Sequence, residues 1–199
     1  TVLHAEGALS HDKFLDLDAN HWRGSESEAP AAGMTGMGVH LTDMMISLMG
    51  PVVEVNAYVG RRVLDLPSGD VVSVQLRFDS GAFAAVSAVS ATPFYGRLAV
   101  FGSHGWVDVR DDGHPEFATG ATVTTCFRGG DVESQHVPAE RDAVLCNLEV
   151  FAAAVRGGAP YPISDAELVN NVAVLEATAS SAREHRRVEV SLQTRERFR

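Results

Sequence analysis

From Val52 onward the apolar positions fall on every second residue. Val53, Val55, Ala57 and Val59 alternate with Glu54, Asn56 and Tyr58, the two-residue period of a half-buried strand. Val72, Val74, Leu76 and Phe78 alternate in the same way with Ser73, Gln75 and Arg77 as far as Asp79-Ser80-Gly81, and 82–90 returns beyond that turn signal. The result is a hairpin with one apolar and one polar face. Segments 97–101 and 106–110 flank Gly102-Ser103-His104-Gly105 as a second hairpin, and 121–127 with 132–137 flank Arg128-Gly129-Gly130-Asp131 as a third.

The period lengthens on either side of this block. Residues 2–9 predict an opening strand that leaves into a polar loop over 10–32. A helix then runs over 36–49, stopped by Gly50 and Pro51. On its wheel Met37, Leu41, Met44, Met45 and Leu48 make the main apolar face, with Val39 and Ile46 nearly opposite, so the helix is expected to be mostly buried. After the strands, Val144, Leu145, Leu148, Phe151, Ala152 and Val155 share one face of a second helix ending at Gly157-Gly158. Ser164-Asp165-Ala166-Glu167 is a capping box. It opens a third helix to about His185, with Leu168, Val172, Leu175, Ala179 and Ala182 as its expected buried stripe. Val188-Glu189-Val190 reads as a last short strand.

Strands in a block, one helix before them and two after, predict an α+β fold: an open, largely antiparallel sheet with helices packed on one face. The domain is expected to span 1–192, with 193–199 as a frayed charged tail. The other sheet face shows Ser73, Gln75 and Arg77, read together with Ala82, Ala84 and Ala88 as a flat surface suited to docking a second copy.

Composition narrows the partners. The chain has 199 residues, of which 45% are hydrophobic and 21% charged, enough to bury one core. A net charge of −10 argues against nucleic acid, whose phosphates need clustered Lys and Arg. Cys126 and Cys146 stand too far apart for a metal motif and read as reduced core thiols. No apolar run is long enough for a membrane span, which sets a cytoplasmic expectation. The start at Thr1 suggests a piece of a longer protein.

The chemistry centres on the 36–49 helix, where Gly36, His40, Asp43 and Ser47 fall in one stripe. His40 and Asp43 either satisfy each other and a backbone carbonyl in the core, or His40 faces a cavity as a proton-transfer or hydroxyl-orienting group. Periodicity alone leaves both open. Gly33-Met34-Thr35-Gly36-Met37-Gly38 has the order G-x-x-G-x-G and no preceding strand, so it is read as tight packing and no dinucleotide fingerprint is present. The other histidines, among them His11, His104 and His114, have no metal-ligand spacing, and the last two sit in predicted turns where solvation is the ordinary outcome. No nucleophile motif such as G-x-S-x-G occurs.

The string from His21 to Ala57, HWRGSESEAPAAGMTGMGVHLTDMMISLMGPVVEVNA, resembles the start of the C-terminal domain in the Gfo/Idh/MocA (glucose-fructose oxidoreductase and inositol dehydrogenase) family. RLAVFGSHGWVDV from Arg97 and the closing stretch from Asn147 to Arg187 extend the resemblance over nearly the whole chain. It implies the C-terminal domain type of glyceraldehyde-3-phosphate dehydrogenase-like oxidoreductases, completed by an absent N-terminal Rossmann domain that binds NAD or NADP and carries a partner lysine. It further implies a sugar, polyol or similar substrate, and self-association as a homodimer through the open sheet. His40 matches the family's catalytic histidine, and Asp43, Tyr95 and Arg23 are the implied substrate-binding residues, with Phe94 beside Tyr95. Gly36 departs from the pattern, since many members carry Asp there. The chain alone is expected to be inactive. The rival readings are a non-catalytic sugar-binding or scaffold relative, and a metal-dependent isomerase or hydrolase using His40 and Asp43.

Overall fold

The computed structural model describes residues 1–191 except 19, 115, 116, 118 and 141. The expected tail at 193–199 lies outside the described residues. Strand β1 (Val2–Ser10) leads through two 3-10 turns, Trp22–Gly24 and Ala32–Met34, to helix α1 (Gly38–Met49). Strands β2 (Val52–Gly60), β3 (Val71–Phe78), β4 (Phe83–Val89), β5 (Tyr95–Gly102), β6 (Gly105–Asp111), β7 (Ala121–Phe127) and β8 (Val132–Val137) follow. Helices α2 (Ala143–Val155) and α3 (Asp165–Glu184) and strand β9 (Val188–Glu189) close the chain.

Among the described residues the strands form one sheet in the order β8-β7-β6-β5-β1-β4-β3-β2-β9. Every pairing is antiparallel except β1 with β4. The opening strand is thus inserted between two hairpins that follow it in sequence. It is the one position that the local alternation could not assign.

Helices α1 and α3 cover one face of β1 to β4. Met45, Val55, Val72, Phe78, Ala88 and Val174 are shut off from water there. Gly7 lets α1 approach, because a Cβ at that position would stand 2.8 Å from Met45 Cε, closer than atoms pack.

Helix α3 docks by a different chemistry from the one its pattern predicts. Its buried side is Asn170, Asn171, Ala173, Val174, Ala177, Thr178 and Ser181, while Leu168 and Val172 are 44% and 56% exposed. Asn170 pairs with both backbone groups of Val52, accepting from its N–H at 2.9 Å and donating to its carbonyl at 3.0 Å. Thr42 Oγ1 meets Asn171 Oδ1 at 2.5 Å, and Ser181 Oγ accepts from the Ala57 amide at 2.9 Å. Asn170 and Ser181 thereby satisfy backbone groups of β2 at Val52 and Ala57, which an apolar stripe would leave unpaired, and Thr42 and Asn171 tie α3 to α1.

The expectation for α2 also changes. The helix forms as predicted, with Asp142 accepting from the Val144 and Leu145 amides as its cap, but it has no buried residue. Its apolar face of Val144, Leu145, Leu148, Phe151 and Val155 is exposed, since among the described residues no helix or strand packs closely over it and only Tyr161 stacks against Phe151. In α1, too, Met44 and Leu48 face outward, so only one side of that helix is covered.

The open sheet face differs from the expected one in one respect. Ser73, Gln75 and Arg77 lie on it, but their partners across β4 are Ser87, Ala85 and Phe83, while Ala82, Ala84 and Ala88 belong to the core. A shift of one residue exchanges the two faces of a strand. Arg77 with Glu54, and Arg97 with Glu6 and Asp108, pair across this surface. Cys126 and Cys146 are free and only partly buried, so neither is a core thiol.

Candidate functional site

The end of the sheet where β1, β2 and β4 finish and β3 and β5 begin collects the residues with chemistry. A loop from β2 to β3 builds its base. Asp70 is fully buried, and its carboxylate accepts from the amides of Arg62 at 2.8 Å, Val63 at 2.6 Å and Leu64 at 2.7 Å. Burial pushes this carboxyl up, but the three amides together outweigh burial and hold it below the ordinary carboxylate value. The fixed loop in turn grips the preceding segment, since Ser68 donates its amide to the Gly24 carbonyl at 3.0 Å and accepts from the Ala32 amide at 2.7 Å.

That grip imposes two left-handed alanines in succession, Ala31 at φ 60° and Ala32 at φ 51°. A side chain in this region is strained by about 1–2 kcal/mol per residue, and such strain collects at functional segments. Gly33 and Gly38 close the turn tightly over Met37, Ala88 and Met34, as their reading from the sequence required. Gly36 is different. A Cβ there would meet nothing nearer than Phe14 Cζ at 3.9 Å, so the missing side chain leaves open space.

His40 lies in the first turn of α1 and is exposed, and Asp43, one turn on, is half-buried. Among the described residues no hydrogen bond or ion pair engages either side chain, so they do not satisfy each other in a core. They share the uncovered stripe of α1 with Ser47, and the exposed Gly36 lies in the turn just before the helix. Arg23 lies in the 22–24 turn against the β2–β3 loop, its guanidinium 4.3 Å from the centre of the Trp22 ring, a cation–π stack. Tyr95 opens β5 opposite Ser10 and is 42% exposed. Strand alternation places it with Arg97 on the open face, away from α1. The structure therefore brings His40 and Asp43 together, sets Arg23 on the adjoining loop and leaves Tyr95 on the other side of the sheet.

Phe94, one residue earlier, stands on the helix side in a group of rings that the sequence did not reveal. His11 contacts Phe14 at 5.4 Å between ring centres and His114 at 5.8 Å, and His114 contacts Phe94 at 5.5 Å and Phe117 at 6.2 Å. His114 is thus half-buried among rings rather than solvated. His11 is only 8% exposed. Burial, then the neighbouring His114 and Lys13, hold its imidazole below the ordinary histidine value, so it is neutral near pH 7. Its Nδ1 accepts from the Lys13 amide at 3.3 Å, which assigns the remaining proton to Nε2. Asp111 packs one carboxylate oxygen over Gly96 beside Phe94 while the residue as a whole stays exposed, and partial loss of water, with Asp112 adding to it, raises its carboxyl. The one legible sign of His11 was its place at the end of an opening strand, three residues before a phenylalanine.

No group of three or more His, Cys, Asp or Glu able to hold a metal ion occurs among the described residues, and none of their helices is long and apolar enough to cross a membrane.

The family model described as the GFO/IDH/MocA C-terminal domain matches residues 1–108. No curated protein matches the sequence at a significant level. Among solved structures, a provisionally named NADPH-dependent oxidoreductase of Desulfitobacterium hafniense superposes with a TM-score of 0.85 at 24% identity, over 95% of this chain and 57% of that one. Aldose-aldose oxidoreductase from Caulobacter crescentus, complexed with glycerol, gives 0.78 at 21% identity over 94% and 55%. Levoglucosan dehydrogenase with NADH and levoglucosan gives 0.76 at 20% over 95% and 58%. At these identities the likeness is one of fold, and the chain spans little more than half of each neighbour.

Proposed function

From the premise that the chain belongs to the GFO/IDH/MocA family, as its C-terminal domain, we propose that it is the substrate-side half of an NAD- or NADP-dependent oxidoreductase acting on a sugar, polyol or similar hydroxyl compound. The observation that carries this reading is His40, an exposed imidazole that no described residue engages, on the uncovered stripe of α1 near the open space at Gly36. An imidazole so placed can hold or move the proton of a reacting hydroxyl, with Asp43 and Arg23 contacting the remaining hydroxyls. The aromatic contact falls to Phe94 on the helix side, and Tyr95 belongs to the opposite face. An N-terminal Rossmann domain would hold the nucleotide, whose nicotinamide would take the hydride from the substrate carbon, and would cover the exposed apolar faces of α2 and the start of α3. The open sheet, with its paired charges and exposed Tyr58 and Phe83, is the surface for a second copy.

The names of the solved neighbours support the substrate class, since two are named for sugar chemistry and one of these is complexed with NADH. In the full-length protein His40→Ala should lower kcat/KM for the best sugar or polyol by roughly 10²–10⁴, with nicotinamide affinity unchanged. Turnover followed by nicotinamide absorbance checks this, and an undiminished rate removes His40 from the reaction. The 199-residue chain alone is expected to show no turnover.

A further inference from the structure

We propose that the ring cluster of His11, Phe14, Phe94 and His114 is the specificity wall of the site, where His11 donates Nε2–H to a hydroxyl of an uncharged ring polyol and Asp111 turns anionic sugars away. The inference rests on the sugar or polyol reading above and adds to it the residues that select the substrate and the charge the substrate must lack.

Three observations carry it. First, the cluster is continuous with the stripe of His40, because Phe14 touches both His11 and the space over Gly36. Second, its composition suits a sugar ring. Aromatic rings take the apolar C–H patches, and a neutral imidazole whose Nδ1 is already engaged by the Lys13 amide presents a single donor of fixed identity. Buried apolar surface would need neither. Third, the acidic groups around it, Asp12 next to His11 and Asp111 packed over Gly96 beside Phe94, outnumber Lys13, while Asp112 is paired with His136. A phosphate or carboxylate brought here meets like charge, while a hydroxyl can donate to the same carboxylates.

The test uses the full-length protein with D-glucose, myo-inositol and D-glucose 6-phosphate as probes, read both by saturation-transfer NMR and by KM. Both neutral probes should show transfer from aromatic protons, and D-glucose 6-phosphate should show none at equal concentration. His11→Phe keeps the ring contacts and removes the donor. It should raise KM for the preferred neutral probe about tenfold with kcat within twofold, and His11→Gln, which restores a donor, should recover part of that loss. Asp111→Asn should make D-glucose 6-phosphate binding detectable. Unchanged KM in His11→Phe, equal binding of the phosphorylated probe by the unaltered protein, or no binding of either neutral probe overturns the proposal. Binding with these patterns but no nicotinamide turnover would instead sink the oxidoreductase reading and leave this wall standing. An unchanged urea-unfolding midpoint in each variant shows that this domain has folded.

Discussion

Strands β1 to β4 and β9 carry α1 and α3 on one face, and the largest buried side chains, Phe78, Met34, Met37, Met45 and Leu76, all belong to that half. Strands β5 to β8 carry no helix, their inward valines are only half-buried, and α2 holds Leu148, Phe151 and Val155 more than half exposed. The two halves have similar strand patterns, so the difference lies in what covers them. The candidate site sits on the seam. His11 ends the last covered strand, and Phe94 and Asp111 flank the first uncovered ones. A seam of this kind is where a second domain can both finish a core and close a substrate cavity.

Mutating one large residue in each half breaks or confirms this contrast with the largest effect. Leu76→Ala should cost about 2–5 kcal/mol, the range for truncating a buried leucine, whereas Leu148→Ala in the 199-residue chain should stay within about 0.5 kcal/mol, as for an exposed position. In the full-length protein the Leu148→Ala cost should rise well above that. Urea unfolding measures all three. Equal costs for the two variants in the shorter chain would mean that α2 is covered from within.

How much of this was legible follows from what each half uses to hold itself together. Alternation located every strand of the three hairpins to within two residues, because one face of each meets core and the other meets water. It failed for α3, where Asn170, Asn171, Thr178 and Ser181 do the docking and Leu168 and Val172 point outward. A hydrophobic stripe records where apolar surface calls for cover, and among the described residues no helix or strand covers Leu168 and Val172. His40 was singled out by its place in the polar stripe of the 36–49 helix, and the resemblance supplied the role proposed for it. His11, His114 and Asp111 were not, since the β1–β5 and β5–β6 pairings that gather them are long-range and leave no spacing to read.

Asp70 gives a smaller effect within the covered half. Its folded carboxyl lies below the ordinary value, so it contributes stability that is fully present above the unfolded pKa of about 4 and is lost as pH falls through the lower folded value. Asp70→Asn should therefore cost roughly 1–3 kcal/mol at pH 7, the range for unsatisfied buried donors. The gap between variant and parent should narrow as the pH drops below the ordinary carboxylate range. Urea midpoints measured from pH 7 down to pH 3 check this. A gap that stays constant would mean that the loop is held by packing and not by the charge.

The smallest effect is expected at the seam itself. Gly36 lacks the positive φ that only glycine tolerates, and an added Cβ meets only Phe14 Cζ at 3.9 Å. Nothing in the fold requires glycine there, in contrast to Gly7, where α1 crosses β1. Gly36→Asp should accordingly shift stability by less than about 0.5 kcal/mol, measured by thermal unfolding, while placing a carboxylate in the stripe of His40. A rise in kcat/KM of the full-length variant would show that the space over Gly36 faces the reacting group. A loss of several kcal/mol would show that the space is closed, and that the seam is packed more tightly than the exposed histidine beside it suggests.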